Sequence, residues 1–323
     1  MIVDDATFMT SDAPAFVAGL LDLGAARREG LPAPSPGKVP APTLSPAKRR
    51  SLADINPPPL PEAYLALRRT AENPLSGVAD VAKAVSLDPS LAAYVLRLAN
   101  SPVYAPAARA ETVSRAVGLI GLTEIVNLAA GAVLARLFDK PPRADLMSMP
   151  DFWRHAVAVG MLARALARRR DETAPERFFV AGLLHDMGRL VLAVAEPDLA
   201  QTTLARVAEG RIPLDAAERL ELGFDHAALG GRIGGKWRLA DALIEGVAAH
   251  HDPSQCPESM VAAAVHVADF MANALGCRVT PCGALPQLDP RALAAFRLAE
   301  ADPKEFADLL DEGLAELSAL FTP

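Results

Sequence analysis

The sequence predicts an all-α protein, on three observations. Ala and Leu dominate a 323-residue chain in which 51% of residues are apolar but only 5% aromatic. Ala and Leu favour helices, whereas strands draw on β-branched and aromatic side chains. From Glu62 onward apolar residues recur at helical spacing almost without interruption. No alternation of apolar and polar residues persists for more than four positions, so no sheet is expected.

The elements follow in order. Residues 7–30, with Phe8, Phe16, Val17, Leu20, Leu21 and Leu23, have the spacing of one short amphipathic helix. Residues 32–61 hold ten of the chain's 28 prolines and predict an extended linker, since proline lacks a donor and blocks helix continuation. The first 50 residues are therefore expected to form a poorly ordered tail, with a tethered docking helix as the competing reading. Asp88-Pro89 predicts a helix start, with Asp as N-cap and Pro in the first turn, and residues 90–99 continue it until Asn100-Ser101-Pro102. Gly118, Gly121 and Pro141-Pro142 punctuate the segments after that. Further helices are expected over 151–168, 176–195, 198–209, 213–221, 226–236, 239–250, 258–275, 290–298 and 303–321.

The net charge of −7 excludes a general nucleic-acid binder, which needs a basic face to neutralise phosphates. Arg168-Arg169-Arg170 is expected to be a solvated helix end, where cations offset the helix dipole. Cys256, Cys277 and Cys282 have no framework spacing and are expected to be free thiols in a reducing compartment. The first residues lack the basic start of a signal peptide, and no apolar run approaches the length of a membrane span. A cytoplasmic location without membrane contact is the expectation.

Two stretches carry a family resemblance. Residues 86–104, SLDPSLAAYVLRLANSPVY, and 111–128, ETVSRAVGLIGLTEIVNL, resemble consecutive segments of the HDOD family. FWRHAVAVG at 152–160 and AGLLHDMGRLVL at 181–192 resemble its HD half. The resemblance implies an HD-superfamily helical bundle with an N-terminal helical HDOD subdomain. It divides the chain into an N-terminal extension with a proline-rich linker (1–53), an HDOD domain (54–275, split into 54–145 and an HD-like 146–275) and a C-terminal helical segment (276–323). It also implies a bacterial signal-transduction or regulatory module that works through contacts with a signalling protein, in a family held to have lost phosphohydrolase activity.

All six histidines lie between residues 155 and 266. His155 falls on the apolar face of its helix, with Val159, Leu162 and Leu166. His185 follows the apolar run Val180-Ala181-Gly182-Leu183-Leu184. Asp186 and Asp269 sit in apolar helices, where a carboxylate costs several kcal/mol unless it is paired or bound to metal. Gly182 leaves room for another helix or an ion to approach. His155, His185, Asp186, His226, His250, His251 and Asp269 are together similar, in order and type, to the metal ligands of the HD-GYP phosphodiesterases. The acidic residue four before the first histidine, Asp151, also has a counterpart there, although it equally suits a helix N-cap. Imidazole and carboxylate without thiolate suit a divalent transition metal, iron, manganese or zinc. By the same resemblance, Asp186 would bridge two ions. A hydrogen-bonded polar core is the alternative for the whole set. His266 is expected at the helix surface or orienting a ligand, Asp225 as a cap, Trp153 and Trp237 in the core, and Arg232, Lys236 and Arg238 on a solvated face.

Two departures bear on function. The chain continues His251-Asp252-Pro253-Ser254-Gln255-Cys256-Pro257, without the GYP segment. Arg189 replaces the lysine of the HD-x-G-K pattern; it is a candidate phosphate contact but no proton donor. Both favour a module over an enzyme. The other function carried forward is a metal-dependent phosphohydrolase or phosphodiesterase acting on a nucleotide or cyclic dinucleotide.

Overall fold

The computed structural model describes residues 12–28, 51–101, 109–138, 146–210, 212–279, 284–298 and 302–321, and among them it contains helices and no strand. The chain divides into two compact units, residues 58–140 with 311–323, and residues 1–57 with 141–310.

The first of these contains α2 (Glu62–Glu72), α3 (Val78–Ser86), α4 (Pro89–Ala99), α5 (Val113–Ile120) and α6 (Leu122–Leu137). Asp88 caps α4 as predicted: its Oδ1 accepts from the amides of Ser90 and Leu91, and its Oδ2 accepts from Arg136 at 2.6 Å. Asn100 ends α4 and uses both ends of its amide on Ala110, donating to the carbonyl at 2.9 Å and accepting from the N–H at 2.8 Å. Gly121, at φ 104°, lies between α5 and α6 and permits the 109° bend between them.

The second unit contains α1 (Asp12–Arg28), α7 (Met149–Arg169), α8 (Glu176–Leu184), α9 (Met187–Ala195), α10 (Pro197–Gly210), α11 (Leu214–Leu222), α12 (His226–Lys236), α13 (Asp241–Ala248), α14 (Met260–Ala274) and α15 (Pro290–Ala294). It also takes the first part of α16 (Asp302–Ser318). Helix α1 corrects the expectation of a loose tail. Phe16 and Leu20 are fully buried, Phe16 meets Phe306 edge-on, and Arg27 donates to the Ala307 carbonyl at 3.1 Å. Of the predicted proline-rich linker, residues 29–50 lie outside the described residues. Its last part is fixed to α12, where Arg232 donates to the carbonyls of Ala53 and Ile55 and Lys236 bonds to Asn56. Lys236 and Arg238 are nonetheless exposed, as expected of a solvated face, while Arg232 is half-buried. Arg168, Arg169 and Arg170 are exposed at the end of α7 as expected, and Arg169 also pairs with Asp302 and Glu305.

The helix predicted over 176–195 is two helices, broken at His185-Asp186. The 20-residue stretch Glu176–Ala195 is long and apolar enough to cross a bilayer, contrary to the sequence expectation, but 83% of its apolar window is buried inside the protein. Its apolarity is that of a core element packed on α7, α13 and α14.

Helices α7 and α8 cross at glycines. A Cβ on Gly182 would lie 2.7 Å from the backbone of Gly160, and one on Gly160 would lie 2.7 Å from the Phe179 carbonyl. The neighbour admitted by Gly182 is thus helix α7. The expected effect of Gly182→Ala is a loss of about 1–3 kcal/mol, as for an overpacked core. Gly235→Ala, on α12 with nothing within 4 Å of the new Cβ, should instead be neutral or stabilising by up to ~1 kcal/mol. Chemical denaturation of both variants checks this; equal effects at the two positions would contradict the close crossing.

Candidate metal centre

The α7–α8 crossing sets His155 beside His185, their Nε2 atoms 3.3 Å apart. At the break after α8, His185 Nδ1 donates to the Gly182 carbonyl at 2.7 Å, the acceptor that the Asp186 N–H would use in a continuous helix. The chain turns there and presents Asp186 inward. His250 repeats the arrangement just past α13, its Nδ1 donating to the Val247 carbonyl at 2.7 Å. His155 Nδ1 donates to the Cys277 carbonyl at 2.7 Å. Carbonyl oxygens only accept, so these three rings hold a proton on Nδ1 and aim Nε2 at the centre.

The fourth ring is held by a residue the sequence reading missed. Glu218, on α11 and 1% exposed, accepts from His226 at both its backbone N–H (2.7 Å) and its Nδ1 (2.6 Å). One carboxylate thereby fixes the start of α12 and the orientation of its first side chain. A Glu eight residues before a histidine resembles any surface helix charge; the available signal was its place between Ala217 and Leu222 on the buried side of α11.

The Nε2 atoms converge with two carboxylates. His226 Nε2 lies 3.0 Å from Asp186 Oδ1 and 2.8 Å from His251 Nε2, and His155 Nε2 lies 3.2 Å from Asp269 Oδ1. His185 Nε2 is 3.6 Å from Asp186 Oδ1 and 3.9 Å from Asp269 Oδ1. Among the described residues, three overlapping groups have ligand atoms within 4.8 Å of one another: His226, His250 and His251; His155, His185 and Asp186; His185, His250 and Asp269. All seven sequence-predicted positions therefore meet at one place. His251 is half-buried and the other six are buried.

The donor set fits a metal on two counts. Ligands about 2.0–2.2 Å from a tetrahedral ion lie roughly 3–3.5 Å apart, the range of the closest pairs here. His250 Nε2 is buried with no hydrogen-bond partner, although it points to the same centre. A buried polar atom left without a partner costs about 1–3 kcal/mol, which coordination would recover.

Two candidates fall outside the centre. His266 is buried, not at the surface: its Nδ1 donates to the His250 carbonyl at 2.7 Å and its Nε2 accepts from the Asp289 N–H at 2.8 Å. Both nitrogens are thus used, and the ring ties the double histidine to the start of α15. Asp151 is exposed in the first turn of α7, whose cap is Ser148. Of the cysteines, Cys256 and Cys277 are not joined in a disulfide, and Cys282 lies outside the described residues.

Electrostatics separates the groups. Burial pushes His185 down to about 4, against the pull of Asp186, and lowers His250 and His251 too. Burial opposes the charged form of His155 and His226 as well, but Asp269 raises the first, and Glu218 with Asp186 raises the second well above the usual range. Asp186 is held well below its usual range despite burial, by Arg189, His185 and His226. Asp269 is likewise held at about 2 by His155. The centre opens to a cavity that His155, Asp186, His226, His251 and Asp269 help to line. Arg189, Asn273 and Arg278 are on its polar wall, and Val207, Leu214 and Pro286 on its apolar side.

A helical bundle that gathers histidines and aspartates from successive helices, with the paired His185-Asp186 at a helix break, is an HD-type domain. Residues 58–253 match the family model of the HDOD domain, and the chain belongs to that family. A protein of Treponema pallidum (strain Nichols) is 29% identical over 206 residues; the match covers 62% of this chain and 39% of that relative, so the chain spans well under two thirds of it. Two solved structures share the fold. A candidate phosphohydrolase from Shewanella amazonensis SB2B has TM-score 0.64 and 24% identity over 84% of this chain and 96% of that one. A candidate signal transduction protein from Marinobacter aquaeolei VT8 has TM-score 0.65 and 23% identity over 99% and 69%.

Glu218→Gln, close in shape, removes the charge that holds His226. Metal affinity is expected to fall about 10–100-fold, as for other residues that orient a ligand, and competition with a fluorescent chelator would read it; unchanged affinity would remove Glu218 from the centre. A pH effect follows from His185. Its folded pKa of about 4 lies below its ordinary value of 6.5. The neutral ring thus contributes stability that is present above pH ~6.5 and lost as pH falls towards 4. Chelator-treated wild type should therefore lose stability relative to His185→Gln over that window, in urea melts at successive pH values.

Proposed function

We propose that this chain is an HDOD-type signal-transduction module acting through contacts with a signalling protein, with a divalent transition metal held by His155, His185, Asp186, His226, His250, His251 and Asp269. The observation that carries this reading is a contrast within one site. The ligand-type side chains are all turned inward, while among the described residues the segment after the double histidine stays off the cavity and Arg189 is engaged with a ligand-type carboxylate. The turn after the double histidine, Pro253–Gln255, is capped by Asp252, and none of residues 252–257 lines the cavity. Arg189 is paired to Asp186 at 2.8 Å. When bound, iron, manganese or zinc would supply concentrated positive charge that cross-links α7, α8, α12 and α14 and the segment after α13. The chain's own residues orient five imidazole rings and two carboxylates and keep the centre largely shielded from water.

One observation supports a second reading, a metal-dependent phosphohydrolase acting on a nucleotide or cyclic dinucleotide. Arg189, Arg278 and Asn273 line the same cavity as the ligand set, and guanidinium groups pair well with phosphate.

Elemental analysis of protein purified without added metal, followed by incubation of the metal-reconstituted protein with cyclic di-GMP and a panel of nucleotides, separates the two. The expected outcome is co-purified iron, manganese or zinc with no efficient turnover. Robust turnover abolished by His185→Ala would establish the hydrolase instead. Absence of metal even after reconstitution would leave the histidines as a hydrogen-bonded core.

A further inference from the structure

We propose that Arg189 restricts this centre to one firmly held ion, by competing for the Asp186 oxygen that a second ion would need. The inference rests on the metal reading above and concerns what this chain's own arginine does to it.

In two-ion centres the ions sit about 3.5–4 Å apart, and a carboxylate between them gives one oxygen to each. Asp186 is the residue placed for that task, and its two oxygens face different groups. Oδ1 looks towards one set of imidazoles, 3.0 Å from His226 Nε2 and 4.0 Å from His250 Nε2. Together with His251, these rings offer one ion three nitrogens, with Asp186 Oδ1 beside His226. Oδ2 looks the other way. It is 3.9 Å from His155 Nε2, a ring that also lies 3.2 Å from Asp269 Oδ1, and 2.8 Å from Arg189 Nη1, while His185 Nε2 lies 3.6 Å from Oδ1. An ion on that side that drew on Oδ2 would meet a guanidinium already bonded to it.

The contact is hard to displace. Arg189 lies three residues after Asp186 in the first turn of α9, so the backbone itself keeps the two side chains adjacent. Their side chains are 12% and 3% exposed, so water screens the pair little. A lysine at this position could leave by swinging away on its flexible stem or by shedding its proton under the field of an ion. A guanidinium stays charged at any working pH, and its planar fork suits a carboxylate. Arg189 thus repels a dication at short range and withholds the oxygen it would use. A single ion on the Oδ1 side meets no such competitor. The consequence for function is direct, because a lone ion lacks the paired clamp on attacking and leaving oxygens that two-ion hydrolysis uses.

The test is titration of chelator-treated full-length protein with manganese(II) alone, followed by calorimetry, elemental analysis after dialysis and electron paramagnetic resonance. The last distinguishes an isolated ion from an exchange-coupled pair without any substrate. For the wild type we expect one ion per chain at low manganese, a second step at least about tenfold weaker, and the isolated-ion signal. For Arg189→Gln the second step should tighten at least about tenfold and the coupled signal appear, with Arg189→Lys in between. Wild-type protein that takes up two ions of similar affinity overturns the proposal, and that result stands even if Arg189→Gln fails to fold. A folded Arg189→Gln that still holds one ion also overturns it. Asp186→Asn with wild-type affinity overturns it too, while leaving the metal reading intact. No manganese on the wild type or on Arg189→Gln overturns the metal reading itself, and the proposal with it.

Discussion

The hydrogen bond from His185 Nδ1 to the Gly182 carbonyl, 2.7 Å long, sits where α8 ends and fixes the ring with its Nε2 towards the centre. The break between α8 and α9 leaves Asp186 at the start of the next helix, with its Oδ1 3.0 Å from His226 Nε2. His250 uses its own i−3 carbonyl in the same way, whereas His155 reaches across to Cys277, 122 residues away, and His226 is held by Glu218. Each of these four rings is thus oriented through Nδ1, so the chemistry at Nε2 is decided by groups outside the centre.

Close helix packing makes that convergence possible. Gly160 and Gly182 let α7 and α8 approach until a methyl group no longer fits between them. Gly188, two residues past Asp186, stands so near α12 that a Cβ there would fall 2.0 Å from the His226 carbonyl. These contacts bring His155, His185, Asp186 and His226 within bonding reach of one another. In a buried setting the arrangement is demanding. Two carboxylates and five imidazoles share little water, and their preferred protonation states are driven apart by burial on one side and by paired charge on the other.

The anchors of the centre also link it to elements that carry none of its ligands. Cys277 follows the end of α14, against which α1 is packed so closely that a Cβ on Gly24 would fall 1.8 Å from the Ala274 carbonyl. His266 joins the backbone of His250 to the N-cap of α15.

The sequence by itself determined the helical class and the Asp88 cap on α4, and its resemblance to the HD-GYP phosphodiesterases pointed to the seven residues that converge in the fold. The first two are compositional or local facts: helix propensity, and a cap that acts within three residues. It did not determine the docking of α1, the break between α8 and α9, the burial of His266 or the parts played by Glu218 and Arg189. Each of these depends on a partner distant in sequence or on which of two acceptors a side chain takes. Phe16 looks like a tail residue until Phe306 covers it, and Glu218 looks like a surface charge until α12 brings His226 to it. Arg189 reads in the sequence as a candidate phosphate contact, and its bond to Asp186 became visible only in the fold, because residue type fixes what a side chain can bond to and only packing fixes what lies within 3 Å of it.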